Sequence, residues 1–153
     1  MVGAPLPFVS VRSPDALVTR FREHGLKITP QRRAVFGVLD GDESHPSADA
    51  VFRAVSSRVP GISLRTVYQI LNELAELGEI QVLDLGTGSI RFDPNVDDHH
   101  HLVCDGCGAV RDVSVDLSGL ATTGDAFGDF LVERPQVIYR GRCRACGALP
   151  GAR

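Results

Sequence analysis

The chain has four cysteines, in two pairs of identical spacing, Cys104-Asp-Gly-Cys107 and Cys143-Arg-Ala-Cys146. A glycine follows each pair, a turn that lets backbone N–H groups point at the sulfurs while both thiolates converge. Two such knuckles complete a tetrahedral site of four sulfurs, which suits Zn2+ and leaves no open position for chemistry. A structural role is expected. The rival chemistry, a pair of redox dithiols or disulfides, wants a reactive cysteine in a thioredoxin-like βαβ setting that the surrounding pattern does not supply.

A second constellation, Asp97-Asp98-His99-His100-His101, stands just before the first knuckle. On an extended strand His99 and His101 share one face and His100 takes the other, so two imidazoles can reach one ion. Asp93 and Asp112 offer oxygen donors, and mixed nitrogen and oxygen ligation suits Fe2+, Mn2+ or Zn2+ without selecting sharply among them. A solvated polar loop is the bland alternative. His100 is expected to face solvent.

The elements that must position these groups are punctuated clearly. Ser13 caps a first helix with Pro14 at its first position and Gly25 as its stop; Thr29 and Pro30 open a second that ends near Gly41. Ser47 caps a third, which stops at Pro60-Gly61. A fourth begins at Ser63 and ends at Gly78, with Val67, Ile70, Leu71 and Leu74 at helical spacing and Arg65, Thr66, Gln69 and Asn72 on the opposite, polar face. Ile80 to Leu85, a Gly86-Thr-Gly88 turn and Ser89 to Phe92 read as a hairpin. Helices followed by a hairpin in this order make a winged helix-turn-helix. Its fourth helix would enter the major groove, where Arg65 and Gln69 read base edges while Arg32, Arg33 and Arg91 hold phosphates. A small helical domain that binds no nucleic acid is the plainer reading.

From Phe92 to Asp98 apolar periodicity is lost, which marks a hinge. Beyond it, strands are expected around Leu102-Val103, Val110 to Val115 and Val137 to Tyr139, with a helix between about Leu117 and Phe130 that three glycines weaken. The fold class is thus α+β, with a winged helix-turn-helix domain over residues 12–92, a hinge over 93–98 and an α/β domain over 99–147 that carries the structural zinc of four cysteines.

With 153 residues the chain can build one modest domain or two small ones. A net charge of −3 excludes a broadly basic nucleic-acid binder, so any DNA contact must be local. Residues 1–92 carry ten basic and ten acidic side chains and residues 93–153 six and nine, which puts the acidic excess in the second part. Fifteen of the sixteen basic residues are arginine, the side chain suited to bidentate phosphate and guanine contacts. Pro5 and Pro7 interrupt the first apolar run, and no run approaches the roughly 20 residues that span a bilayer, so a cytoplasmic protein without membrane contact is expected.

Thr29-Pro30-Gln31-Arg32, His45-Pro46, Ser63-Leu-Arg-Thr66-Val67-Tyr68, Arg91-Phe92-Asp93, Asp98-His-His-His101-Leu-Val-Cys104-Asp-Gly-Cys107-Gly and Tyr139-Arg-Gly-Arg-Cys143-Arg-Ala-Cys146 follow one another in this order. Over roughly residues 14–147 the chain resembles the ferric uptake regulator family. The resemblance implies a homodimeric, metal-activated transcriptional repressor that binds palindromic double-stranded operator DNA, its second domain serving dimerisation. It also implies a regulatory metal held by His45, Asp93, His99, His101 and Asp112 beside the structural Zn2+ of Cys104, Cys107, Cys143 and Cys146, and a DNA-contacting set of Arg32, Arg65, Thr66, Tyr68, Gln69 and Asn72. Only the resemblance promotes His45, which would otherwise be a surface residue before a proline.

Three histidines with two aspartates resemble the peroxide-sensing, PerR-like branch, since the iron-sensing branch usually has glutamates at the places of Asp93 and Asp112. That implies Fe2+ or Mn2+ as the regulatory ion and oxidation of His45 or His99 to 2-oxo-histidine by hydrogen peroxide in the Fe2+ form. An iron-, zinc- or nickel-responsive uptake regulator is the alternative. The chain departs from the family at a further metal site, where His100, Gly119 and about Pro135 replace the usual ligands, and at Arg65 and Gln69, where relatives more often carry alanine and arginine or asparagine. An enzyme with His99, His101 and Asp112 as a catalytic zinc triad lacks an evident general base. No catalytic residue is therefore assigned, and no small molecule is expected to act on the protein beyond metal ions and peroxide.

Overall fold

The computed structural model describes residues 12–120 and 127–147, and these divide into two compact units, 12–97 and 98–147. In the first, four helices, α1 (Pro14–Glu23), α2 (Pro30–Leu39), α3 (Ala48–Ser56) and α4 (Leu64–Glu76), precede two antiparallel strands, β1 (Gln81–Leu83) and β2 (Arg91–Asp93). Ser13, Thr29, Ser47 and Ser63 each accept a backbone N–H of the first turn, satisfying a donor that the helix itself leaves open. Every helix shows an apolar stripe at spacings of three and four. Together they bury Leu17, Phe21, Phe36, Val51, Leu71 and Leu74 in one continuous core with Phe92 of β2.

Ion pairs frame this core. Glu79, 6 % exposed beyond α4, receives Arg20 at 3.1 Å and Arg12 at 3.0 Å, tying the start of β1 to α1. The Phe92 amide donates to the Pro46 carbonyl at 2.9 Å, which seats β2 beside the loop that leads into α3.

The second unit is a three-stranded sheet of order β4-β3-β5, with β3 (His100–Cys104) at its centre, β4 (Val110–Val113) antiparallel to it and β5 (Ile138–Gly141) parallel to it. Its buried apolar side chains among the described residues are few: Val103, Cys104, Val110 and Val113. The helix expected over Leu117 to Phe130 is not found at its described ends. Residues 117–120 form a turn and 127–129 a single tight one; the middle, 121–126, lies outside the described residues. Gly119 and the left-handed Gly128, at φ +62°, interrupt the helical pattern there.

Candidate metal centres and nucleic-acid face

The four cysteines converge. Their sulfurs all lie within 4.8 Å of one another, and Cys107 and Cys143 stand 3.9 Å apart, close to the edge of about 3.8 Å expected for sulfurs around zinc at 2.3 Å. All four are free thiols rather than disulfides. Each knuckle is closed by its glycine, Gly108 N–H donating to the Cys104 carbonyl and Gly147 N–H to that of Cys143. Gly106 packs into the cluster itself: a Cβ there would come within 2.7 Å of the Cys146 Cβ and 3.0 Å of its sulfur.

The electrostatics suit a metal. Amide donation, first from Cys143 and then from Cys107, holds the Cys104 thiol down at about 6, so it ionises readily. Cys146, sharing protons with Cys107 and Cys143, is pushed up to about 12. Four thiolates cannot sit this close without a cation or shared protons, and the donor set, spacing and cradle fit Zn2+.

On the far side of β3 from Cys104, the histidines form a second group. His99 and His101 Nε2 lie 3.0 Å apart. Asp112, paired across β4 with His101, brings Oδ1 to 3.3 Å from His99 and 3.9 Å from His101. Donors around one ion at about 2.1 Å are spaced about 3.4 Å apart in a tetrahedral arrangement, so this trio is preformed to share one.

In the first unit His45 and Asp93 form a pair of their own, Nε2 to Oδ2 3.3 Å, at 2 % and 1 % exposure. The His45 Nδ1 lies 3.0 Å from the Glu43 carbonyl, which can only accept, so Nδ1 carries the proton and Nε2 is the atom left to face Asp93. His45 has φ +52°, a left-handed backbone rare for residues other than glycine, and Arg91 Nη1 holds its carbonyl at 3.1 Å. Such strain aims a ring that no pattern of apolar residues would bury.

The profile of the ferric uptake regulator family matches residues 23–120. The chain belongs to this family. It is 33 % identical over 130 residues to the peroxide-responsive repressor PerR of Staphylococcus epidermidis, covering 84 % of this chain and 87 % of that one, and 32 % identical to the PerR of Staphylococcus aureus over the same share of this chain and 88 % of that one. Among solved structures, the Helicobacter pylori ferric uptake regulator Fur superposes with a TM-score of 0.77 at 20 % identity, covering 93 % of this chain and 99 % of that one. PerR from Streptococcus pyogenes does so with 0.52 at 28 %, covering 90 % and 95 %.

Within this family member the expected metal ligands fall into three local groups: the four thiols, the trio formed by His99 just before β3, His101 on β3 and Asp112 on β4, and the pair in the first unit. His100 corrects an expectation. It is buried rather than solvent-facing, and its Nδ1 accepts the Val137 N–H at 3.1 Å, because the entrance to β5 needs an acceptor from the neighbouring strand. Burial, then the adjacent imidazoles of His99 and His101, lowers its pKa and keeps it neutral.

Arg65, Tyr68, Gln69 and Asn72 do share the outward face of α4, lining a shallow depression with Glu73 and Glu76. Thr66 turns its hydroxyl to Ser63 at 2.9 Å, within the helix cap. Two arginines expected at phosphates are engaged within the protein. Arg32, 13 % exposed, lies over the Phe21 ring and donates to Glu73, while Arg91 serves the His45 carbonyl. Sequence reading missed Glu73 and Glu79, because their partners Arg32, Arg20 and Arg12 come from distant parts of the chain and leave no local signal. Among the described residues no helix is long and apolar enough to cross a membrane.

Proposed function

We propose that the chain is a metal-activated, homodimeric transcriptional repressor: residues 12–92 form a winged-helix DNA-binding domain, residues 93–98 a hinge, and residues 99–147 a dimerisation domain stapled by Zn2+ on Cys104, Cys107, Cys143 and Cys146. The observation that carries the reading is the pair of incomplete, preformed donor sets. His45 with Asp93 offers two ligands, and His99 with His101 and Asp112 offers three. Neither set completes the shell of a transition metal. An ion taking all five binds one arrangement of the two domains better than any other, and shifts the population toward it by that difference in affinity.

The bound metal supplies charge and, as Fe2+, redox reactivity; the residues supply the geometry. His45 is fixed by Glu43 and Arg91, His101 by the sheet and His99, just before β3, against His101 and Asp112, so all three present Nε2. The identities to PerR proteins support a peroxide response, in which His45 or His99 takes one oxygen atom from hydrogen peroxide, the other leaving as water, in a reaction that needs Fe2+. An oxidised ring binds the ion less well, and the DNA-competent state is lost. Arg65, Tyr68, Gln69 and Asn72 face the operator, with Arg33 and not Arg32 near the phosphates.

Mass spectrometry of the peptides containing His45 and His99 to His101 after peroxide treatment tests this. One added oxygen with Fe2+ and none with Mn2+ is expected, together with release from operator DNA in the Fe2+ form alone. The likeness to Fur favours a second reading, an uptake regulator responding to iron, zinc or nickel. Unmodified histidines, with operator binding that follows one metal, would establish that reading instead.

A further inference from the structure

The outward face of α4 contains a chain of hydrogen bonds that no packing requirement explains. Arg32 reaches across from α2 and places Nη2 2.8 Å from both oxygens of Glu73, with Nε 3.2 Å from Oε2. Its other end is anchored on the Lys27 carbonyl and over the Phe21 ring. Both Glu73 oxygens are thereby held in place, at 17 % exposure. One turn earlier the exposed Gln69 brings Nε2 to 3.2 Å from Glu73 Oε1.

A carboxylate only accepts hydrogen bonds, so the Gln69 amide must turn its NH2 group toward Glu73 whichever way it would otherwise rotate. One N–H is used there. The other N–H lies beside the amide oxygen, and the two form a donor and acceptor edge directed away from Glu73. Adenine offers the matching pair in the major groove, the N6 donor and the N7 acceptor, whereas guanine offers two acceptors, N7 and O6. Guanine would oppose the amide oxygen and meet the charge of Glu73 nearby.

We propose that Gln69 determines operator specificity by reading adenine, and that Arg32 and Glu73 are positioning residues that set its amide. This rests on α4 being the helix that enters the major groove. Arg32 then acts on DNA through Glu73 and Gln69 rather than at a phosphate.

The test is selection from a randomised duplex library by the full chain with Zn2+ and Mn2+, the bound fraction being sequenced for wild type, Q69A, Q69R and E73Q. Wild type should enrich one adenine column in each half-site by about tenfold over guanine. Q69R should convert that column to guanine. E73Q keeps the shape but can donate as well as accept, so the amide is no longer held one way round and the column should fall below about threefold. A merely structural role for the pair would lower affinity at every column alike. Q69A, at an exposed position, carries the test if E73Q fails to fold, as judged by circular dichroism. An enriched motif whose columns Q69A leaves unchanged would overturn the proposal while DNA binding stands. Enrichment of no motif with either Mn2+ or Fe2+ would overturn the DNA-binding reading and the proposal with it.

Discussion

At the scale of single residues, the thiol cluster depends on a position with no functional group. Gly106 stands where a methyl would overlap the Cys146 Cβ at 2.7 Å, and the atoms it would displace belong to a metal ligand and not to the loose end of a long side chain. Gly106→Ala should therefore spread the sulfurs. Overpacking of this kind costs about 2 kcal/mol. The expected outcome is a protein that purifies with well under one zinc per chain by elemental analysis, whereas alanine at Gly119, where a Cβ meets nothing within 4 Å, should retain full zinc. The knuckle spacing was legible in the sequence because the chemistry of four thiolates is local to two short motifs. The left-handed backbone of His45 was not, since a positive φ in a non-glycine residue is imposed by contacts such as Arg91 to its carbonyl, 46 residues away.

At the scale of elements, what was legible follows the range of the interactions that make each one. Ser13, Thr29, Ser47 and Ser63 could be assigned as caps because a side chain meeting an N–H three residues on needs no tertiary partner. The strands around the thiol knuckles were readable from short apolar runs. The burial of His100 was not, because it depends on β5 lying parallel to β3 and presenting the Val137 amide. Nor could the Arg32 and Glu73 pair be read, since it joins α2 to α4. Ser63 is the cap with most at stake, for it accepts the Thr66 amide at 3.1 Å and touches its hydroxyl at 2.9 Å just where α4 begins. Ser63→Ala should destabilise the 12–97 unit by about 1 kcal/mol in urea or thermal unfolding. Because the cap sets the first turn that carries Arg65, it should also weaken operator binding, while Ser57→Ala, beyond the end of α3, should leave both close to wild type.

At the scale of the whole molecule, the two units differ in what holds them. The first has a continuous core contributed by all four helices and β2. The second buries only a handful of apolar side chains among its described residues, around a sheet of three short strands. A core so small supplies little of the free energy that ordering the chain requires, so most must come from the metal that binds the folded thiol cluster and not the unfolded chain. Zinc removal should therefore be selective. A mercurial reagent with a chelator, or Cys143→Ser with Cys146→Ser, should make residues 98–147 sensitive to proteolysis and remove sheet signal. The 12–97 unit should keep its helical circular dichroism and its own unfolding transition. The regulatory response should disappear as well, because Cys104 lies at the end of the strand that begins with His100 and His101. Losing the anchor at one end of β3 releases the imidazoles at the other, and Mn2+ should then no longer raise affinity for DNA. If the helical signal vanished together with the sheet, the first unit would depend on zinc in a way its continuous core does not explain. If metal responsiveness survived zinc loss, β3 would be held by its hydrogen bonds to β4 and β5 alone.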